Sequence, residues 1–144
     1  MSAPGFEFVD AVTSDLSFVA RGATLDDAFA AAAQALLAAT LEDPTGVEER
    51  EVRRLELAEP DLELLLLRFL NELVYLKDAE LLLLRPRRLR VSLDSGARLE
   101  AELAGERIAA ERHRLAADVK AATAHGLSVS KSVRGWEARV TLDV

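Results

Sequence analysis

Residues 60–76 read Pro60-Asp61-Leu62-Glu63-Leu64-Leu65-Leu66-Leu67-Arg68-Phe69-Leu70-Asn71-Glu72-Leu73-Val74-Tyr75-Leu76, and the period of their apolar side chains sets the fold class. Leu62, Leu66, Phe69, Leu70, Leu73 and Leu76 recur at the three- and four-residue spacing of one helix face. Leu64, Leu65, Leu67 and Val74 widen that face, so this helix is expected to be buried on more than one side. Beyond Asp78 the helical period is lost. Leu89-Arg90-Val91-Ser92-Leu93 and Leu99-Glu100-Ala101-Glu102-Leu103 then alternate apolar and polar residues around Asp94-Ser95-Gly96, whose residue types tolerate a left-handed turn. That pattern predicts a β-hairpin.

Working outward, Phe6-Glu7-Phe8-Val9 and Leu16-Ser17-Phe18-Val19-Ala20-Arg21 read as two short strands, the second stopped by Gly22. Thr24 stands three residues ahead of Asp27, the spacing of a capping box, and opens an alanine-rich helix. Its expected buried stripe is Leu25, Phe29, Ala32–Ala33, Leu36 and Leu37, with Pro44 and Gly46 ending it. Glu48–Leu57 is charged but alternates, as a strand near a sheet edge does. Residues 106–118 show no clear period, whereas Val119–Ala124, Leu127–Val133 and Trp136–Leu142 read as strands, the last two joined near Arg134-Gly135. Strands, helix, strand, helix and then a run of strands give an α+β fold. Mixed or antiparallel sheets pack with two main helices, in one domain over residues 1–144.

Half the residues are hydrophobic, enough for a core without staples, and zero cysteines rule out disulfides, thiolate metal sites and thiol nucleophiles. Met1-Ser2-Ala3-Pro4-Gly5 has neither the basic nor the apolar region of a secretory signal, and the leucine runs 64–67 and 81–84 are too short to span a bilayer. A cytoplasmic location, with no membrane contact, is the expectation. Net charge is −7, which argues against nucleic-acid binding through the overall field, because phosphate contact needs positive charge.

A serine-hydrolase elbow, a phosphate-cradling glycine loop and a paired-histidine zinc motif are all absent. His113 and His125 cannot supply a zinc site alone, and each reads equally as a structural or a functional residue. Arg85, Arg87, Arg88 and Arg90 form the one basic patch, first an edge-strand guard and second a phosphate or nucleotide contact. Carboxylates are more informative at one place. Asp143 directly follows the alternating strand Glu137–Leu142, and Val144 adds main-chain or terminal carboxylate oxygens. Such a pair is a ready hard-oxygen donor set for Ca²⁺, Mg²⁺ or Mn²⁺ if a third carboxylate joins it. Asp15, at the start of the second strand, is the candidate, because strand ends can cluster at one rim of a sheet.

Several segments together resemble the archease family. They are Phe6-Glu7 with Thr13-Ser14-Asp15 and Gly22; Thr24-Leu25 with Ala28-Phe29; Leu70-Asn71-Glu72-Leu73-Val74-Tyr75-Leu76; and Glu111-Arg112-His113. Lys120-Ala121-Ala122-Thr123-Ala124-His125-Gly126-Leu127 and Gly135-Trp136 with Leu142-Asp143-Val144 complete the set. The resemblance implies an accessory protein, not an enzyme, that activates a tRNA-splicing RNA ligase of the RtcB type. That ligase joins a 3′-phosphate end to a 5′-hydroxyl after guanylylating itself with GTP and Mn²⁺, so RNA is met only indirectly. It also implies a divalent cation, Ca²⁺ first with Mg²⁺ or Mn²⁺ as alternatives, on Asp15, Asp143 and Val144. Lys120 and His125 become candidates for partner or nucleotide contact. The loop before Asp15 departs from the family's acid-His-Thr-Ala-Asp: it reads Asp10-Ala11-Val12-Thr13-Ser14-Asp15, without the histidine and with one residue more. Ala124 replaces an aromatic that often precedes the family's histidine. Two other readings stand beside this one: a metal-dependent phosphohydrolase, and a chaperone-like or structural interaction module built on the leucine-rich helix.

Overall fold

The computed structural model describes residues 5–12 and 14–144, with the side chains of residues 10–12 outside the description. The segment 1–4, Thr13 and the side chains of the altered stretch before Asp15 therefore lie outside the described residues. The elements follow the expected order: β1 (Gly5–Val12), β2 (Asp15–Gly22), α1 (Leu25–Thr40), β3 (Glu51–Glu59), α2 (Leu62–Glu80), β4 (Leu82–Ser92), β5 (Ala97–Arg107), β6 (Ala121–Ser132) and β7 (Gly135–Asp143). They form two antiparallel sheets, one ordered β1-β2-β7-β6 and the other β3-β5-β4. The α+β class with two main helices is what the sequence predicts.

Both helices touch both sheets. α1 packs on β1, β2 and β7 and also on β4, while α2 packs on β6 and on β3, β4 and β5. This explains the composition of α1: a helix enclosed by two sheets must be narrow, and Ala28, Ala31, Ala32, Ala33, Ala35 and Ala39 are all buried. Burial therefore extends well beyond the stripe expected from the larger side chains, leaving only the face of Asp27, Ala30, Gln34 and Ala38 towards solvent. In α2, Leu65, Leu66, Phe69, Leu70, Leu73 and Val74 are buried, whereas Leu64 faces solvent. Phe29 and Phe69 stack across the two helices with ring centroids 6.4 Å apart.

The Thr24 cap falls where the sequence places it, and the structure adds a second at Asp61. The Thr24 hydroxyl accepts the Asp27 N–H at 3.1 Å, and the Asp61 carboxylate accepts the Leu64 N–H at 2.9 Å. α1 ends earlier than expected, at Thr40, whose hydroxyl turns back onto the Leu36 carbonyl at 2.8 Å; Pro44–Gly46 is a separate short 3-10 turn. α2 ends on Leu81 in the left-handed conformation, φ 57°.

Helix side chains close two of the sheet edges. The Asn71 amide pairs with both the N–H and the C=O of Ala122 on β6, at 2.8 and 3.0 Å. Glu63 accepts the Val129 N–H on the same strand, and Asp26 accepts the Val91 N–H on β4. β3, the edge expected from its charge alternation, presents Arg54 and Glu56 outward. At the centre of the second sheet, a Cβ on Gly105 would lie 1.7 Å from the Leu83 carbonyl oxygen, so only glycine fits. Gly105→Ala is expected to cost about 3 kcal/mol through forced backbone shifts, and Asn71→Ala about 2 kcal/mol through the two unpaired groups on Ala122. Urea unfolding at neutral pH measures both.

Candidate metal centre

Asp15 is the first residue of β2 and Asp143 the last of β7, and the register sets them directly opposite each other. Opposed residues of an antiparallel pair share a face and stand about 5 Å apart at Cβ. The neighbouring pairs Leu16–Leu142 and Phe18–Val140 belong to the core, so the two aspartates lie on the outward face. Neither carboxylate has a hydrogen bond or an ion pair among the described residues. Two like charges in this position repel, and a bound cation would turn the repulsion into attraction.

The surrounding backbone is held firmly. The Val144 N–H donates to the Ser14 carbonyl at 3.0 Å, extending the β2–β7 ladder past Asp143, and the Val144 side chain packs against the core. On the other flank the Lys120 N–H donates to the Asp143 carbonyl at 2.8 Å, and Ala121 stands opposite Asp143 in β6. The small Ala121 leaves the acid row open. Asp15, Asp143 and Val144 are thus brought to one rim, with the Lys120 main chain beside them. No third Asp, Glu or His side chain joins the two aspartates in a metal-binding group among the described residues. The donors at hand are two carboxylates and the main-chain oxygens of Val144, hard oxygens that suit Ca²⁺, Mg²⁺ or Mn²⁺ better than Zn²⁺.

His125 lies on an interruption of β6, where the register jumps from Thr123–Thr141 to Ser128–Arg139. The segments expected as two strands are one strand with a bulge between these pairs. Gly126 adopts φ 68°, a conformation suited to glycine. Thr141 itself bonds the Ser17 hydroxyl at 2.9 Å, one row along the sheet from the aspartates. His125 and Lys120 are both exposed.

The other histidine has a structural role. His113 is buried, its Nδ1 accepts the Ala109 N–H at 2.9 Å, and its Nε2 faces the Glu106 carboxylate at 3.1 Å. With Nδ1 occupied as an acceptor, the ring proton sits on Nε2 and points at Glu106. Glu106 is also buried; it accepts the Glu48 N–H at 2.7 Å and pairs with Arg112. Burial by itself would raise the Glu106 pKa, but these three donors outweigh it and hold the carboxyl at about 2, down from 4.5. Sequence reasoning did not single out Glu106, because its donors come from two segments apart from it in the chain, Glu48 and the pair Arg112-His113.

The arginine patch lies on an edge strand, and two of its four members, Arg85 and Arg87, are engaged within the fold. β4 is an edge strand; Arg85 donates to the Pro44 and Val47 carbonyls, and Arg87 pairs with Glu49 and Glu102. The hydrogen bond from Arg87 holds Glu102 below its ordinary pKa.

Because its folded pKa is depressed, Glu106 stabilises the fold fully above the ordinary carboxylate range and loses that contribution as pH falls towards about 2. Glu106→Gln is expected to cost about 3 kcal/mol at neutral pH, since it breaks a buried charge network. Thermal melts should show the gap between wild type and variant closing below about pH 5.

Comparison with known proteins agrees with this architecture. The Archease protein family matches residues 6–144. The archease of Thermococcus gammatolerans is 38% identical over 134 residues, covering 92% of this chain and 94% of that protein. The archease of Methanothermobacter thermautotrophicus is 36% identical over 141 residues, covering 97% and 99%. The solution structure of Methanobacterium thermoautotrophicum protein 1598 superposes with a TM-score of 0.84 at 35% identity, over 97% of this chain and 99% of that one. A Thermotoga maritima structure described as an archease and possible chaperone shares the fold, with a TM-score of 0.60 at 16% identity over 100% of this chain and 98% of that one. On this match along almost its whole length, the chain belongs to the archease family.

Proposed function

We propose that this protein activates a GTP- and Mn²⁺-dependent tRNA-splicing RNA ligase, promoting the ligase's guanylylation and repeated turnover without itself being an enzyme. The observation that carries the reading is the opposition of Asp15 and Asp143, two carboxylates without partners among the described residues. Membership of the archease family supports the ligase as the partner. In this reading Asp15, Asp143 and the main-chain oxygens of Val144 hold a divalent cation, Ca²⁺ first, and the Lys120 N–H fixes the Asp143 main chain beneath it. A bound cation there supplies positive charge that offsets phosphate charge. Exposed Lys120, next to the Asp143 main chain, and exposed His125, on the β6 bulge, contact the ligase or its nucleotide.

The test is the rate of covalent guanylylation of the cognate ligase with GTP and Mn²⁺, with and without this protein. The protein should raise that rate, and Asp143→Asn or Asp15→Asn should lower the stimulation at least tenfold while weakening cation affinity in calorimetry. No stimulation by the wild type would sink the reading. Unchanged cation affinity in both variants would remove the metal assignment alone.

A further inference from the structure

Leu81 closes α2 with φ 57°, a backbone conformation normally given to glycine at this position of a helix end. Its side chain gains little burial in return, being 54% exposed. A bulky residue kept in a disfavoured conformation while facing water points to a role outside the fold. Leu115 is also exposed, and with Leu81, Ile108 and Ala116 it lines one groove of about 270 Å³.

The rim of this groove is acidic. Asp118 and Asp78 are both well exposed, and the single cation between them, Lys77, is almost buried, with its ammonium bonded to the Val119 carbonyl at 2.8 Å. Two carboxylates against one amine leave net negative charge around an apolar floor. That combination repels phosphate backbones and favours a partner carrying positive charge beside apolar side chains. The same wall runs straight into the candidate metal centre, because Asp118 and Val119 lead to Lys120, whose N–H holds the Asp143 carbonyl.

We propose that the groove between Leu81, Ile108 and Leu115 docks a segment of a partner protein that presents apolar side chains flanked by lysine or arginine. The inference rests on the ligase reading above and names the surface that would hold the ligase beside the cation site. Leu81 supplies the apolar anchor, and Asp78 and Asp118 orient the basic flank.

Leu81→Gly separates docking from folding, because glycine suits the backbone there and removes only the exposed anchor. The experiment measures the affinity of purified cognate ligase for the wild type, Leu81→Gly, Leu115→Ser and Asp118→Lys. Melting curves, guanylylation rates and sedimentation are run on the same samples. Leu81→Gly is expected to keep its Tm within about 2 °C of wild type and to bind the ligase about tenfold more weakly. Leu115→Ser and Asp118→Lys should also weaken binding, and added salt should weaken that of the wild type. Should Leu81→Gly lose stability, Leu115→Ser decides the matter. Wild-type affinity in both leucine variants overturns the inference while the ligase reading stands. So does a result in which they change only self-association, which would make the occupant a second copy. Stronger binding by Asp118→Lys overturns the basic partner. If the wild type neither binds nor stimulates the ligase, the ligase reading fails and the inference with it.

Discussion

The structure depends on the antiparallel pairing of β2 with β7, the two central strands of the four-stranded sheet. Its inward rows, Leu16–Leu142, Phe18–Val140 and Ala20–Ala138, lie against the helices. Because side chains alternate, those rows force Asp15, Ser17, Thr141 and Asp143 outward. Slipping the ladder by one residue would bury the aspartates and expose Phe18 and Val140, which burial energies forbid. The hydrophobic side of the sheet thus specifies the register of its polar side. The opposed carboxylates are a consequence of the core, and their repulsion is carried by packing elsewhere.

The helices do more than fill the space between the sheets. Asn71 and Glu63 complete the hydrogen bonding of β6, and Asp26 does the same for β4, so these edges offer fewer free backbone groups to other chains. Asn71 also anchors the stretch just before the bulge that carries His125, which keeps that exposed bulge in a defined place. The irregular segment between β5 and β6 is held from several sides. Glu106 gathers His113, Arg112 and the Glu48 backbone, Lys77 grips Val119, and Leu115 bridges to Leu41. A largely irregular loop can therefore present Asp118 beside Lys77 and Lys120 beside Asp143.

Much of this was legible in the residues. The helical period of Leu62–Leu76, the cap at Thr24, the turn at Asp94-Ser95-Gly96 and the charge alternation of β3 each follow from local chemistry, and each is present. Where the reading departed, the cause lay in packing between distant segments. The stripe expected for α1 is a wider buried surface that leaves only the Gln34 face towards solvent, because alanine is needed where a helix packs between two sheets. Leu64, which widens the apolar face in the sequence, lies on the solvent side of α2. Two C-terminal strands proved to be one, because Gly126 lets the chain bulge and rejoin the ladder.

The sequence by itself determined both helices, most of the strands, their order and the hard-oxygen character of Asp15 and Asp143, since period, capping and donor type are local properties. Only the tertiary structure decided that these aspartates face each other, that His113 is a buried partner of Glu106, and that Leu81 and Leu115 share one groove. Each of these is a meeting of segments far apart in the chain. Such meetings are settled by which hydrophobic faces can be buried together, a property of the whole core that no single stretch of sequence carries.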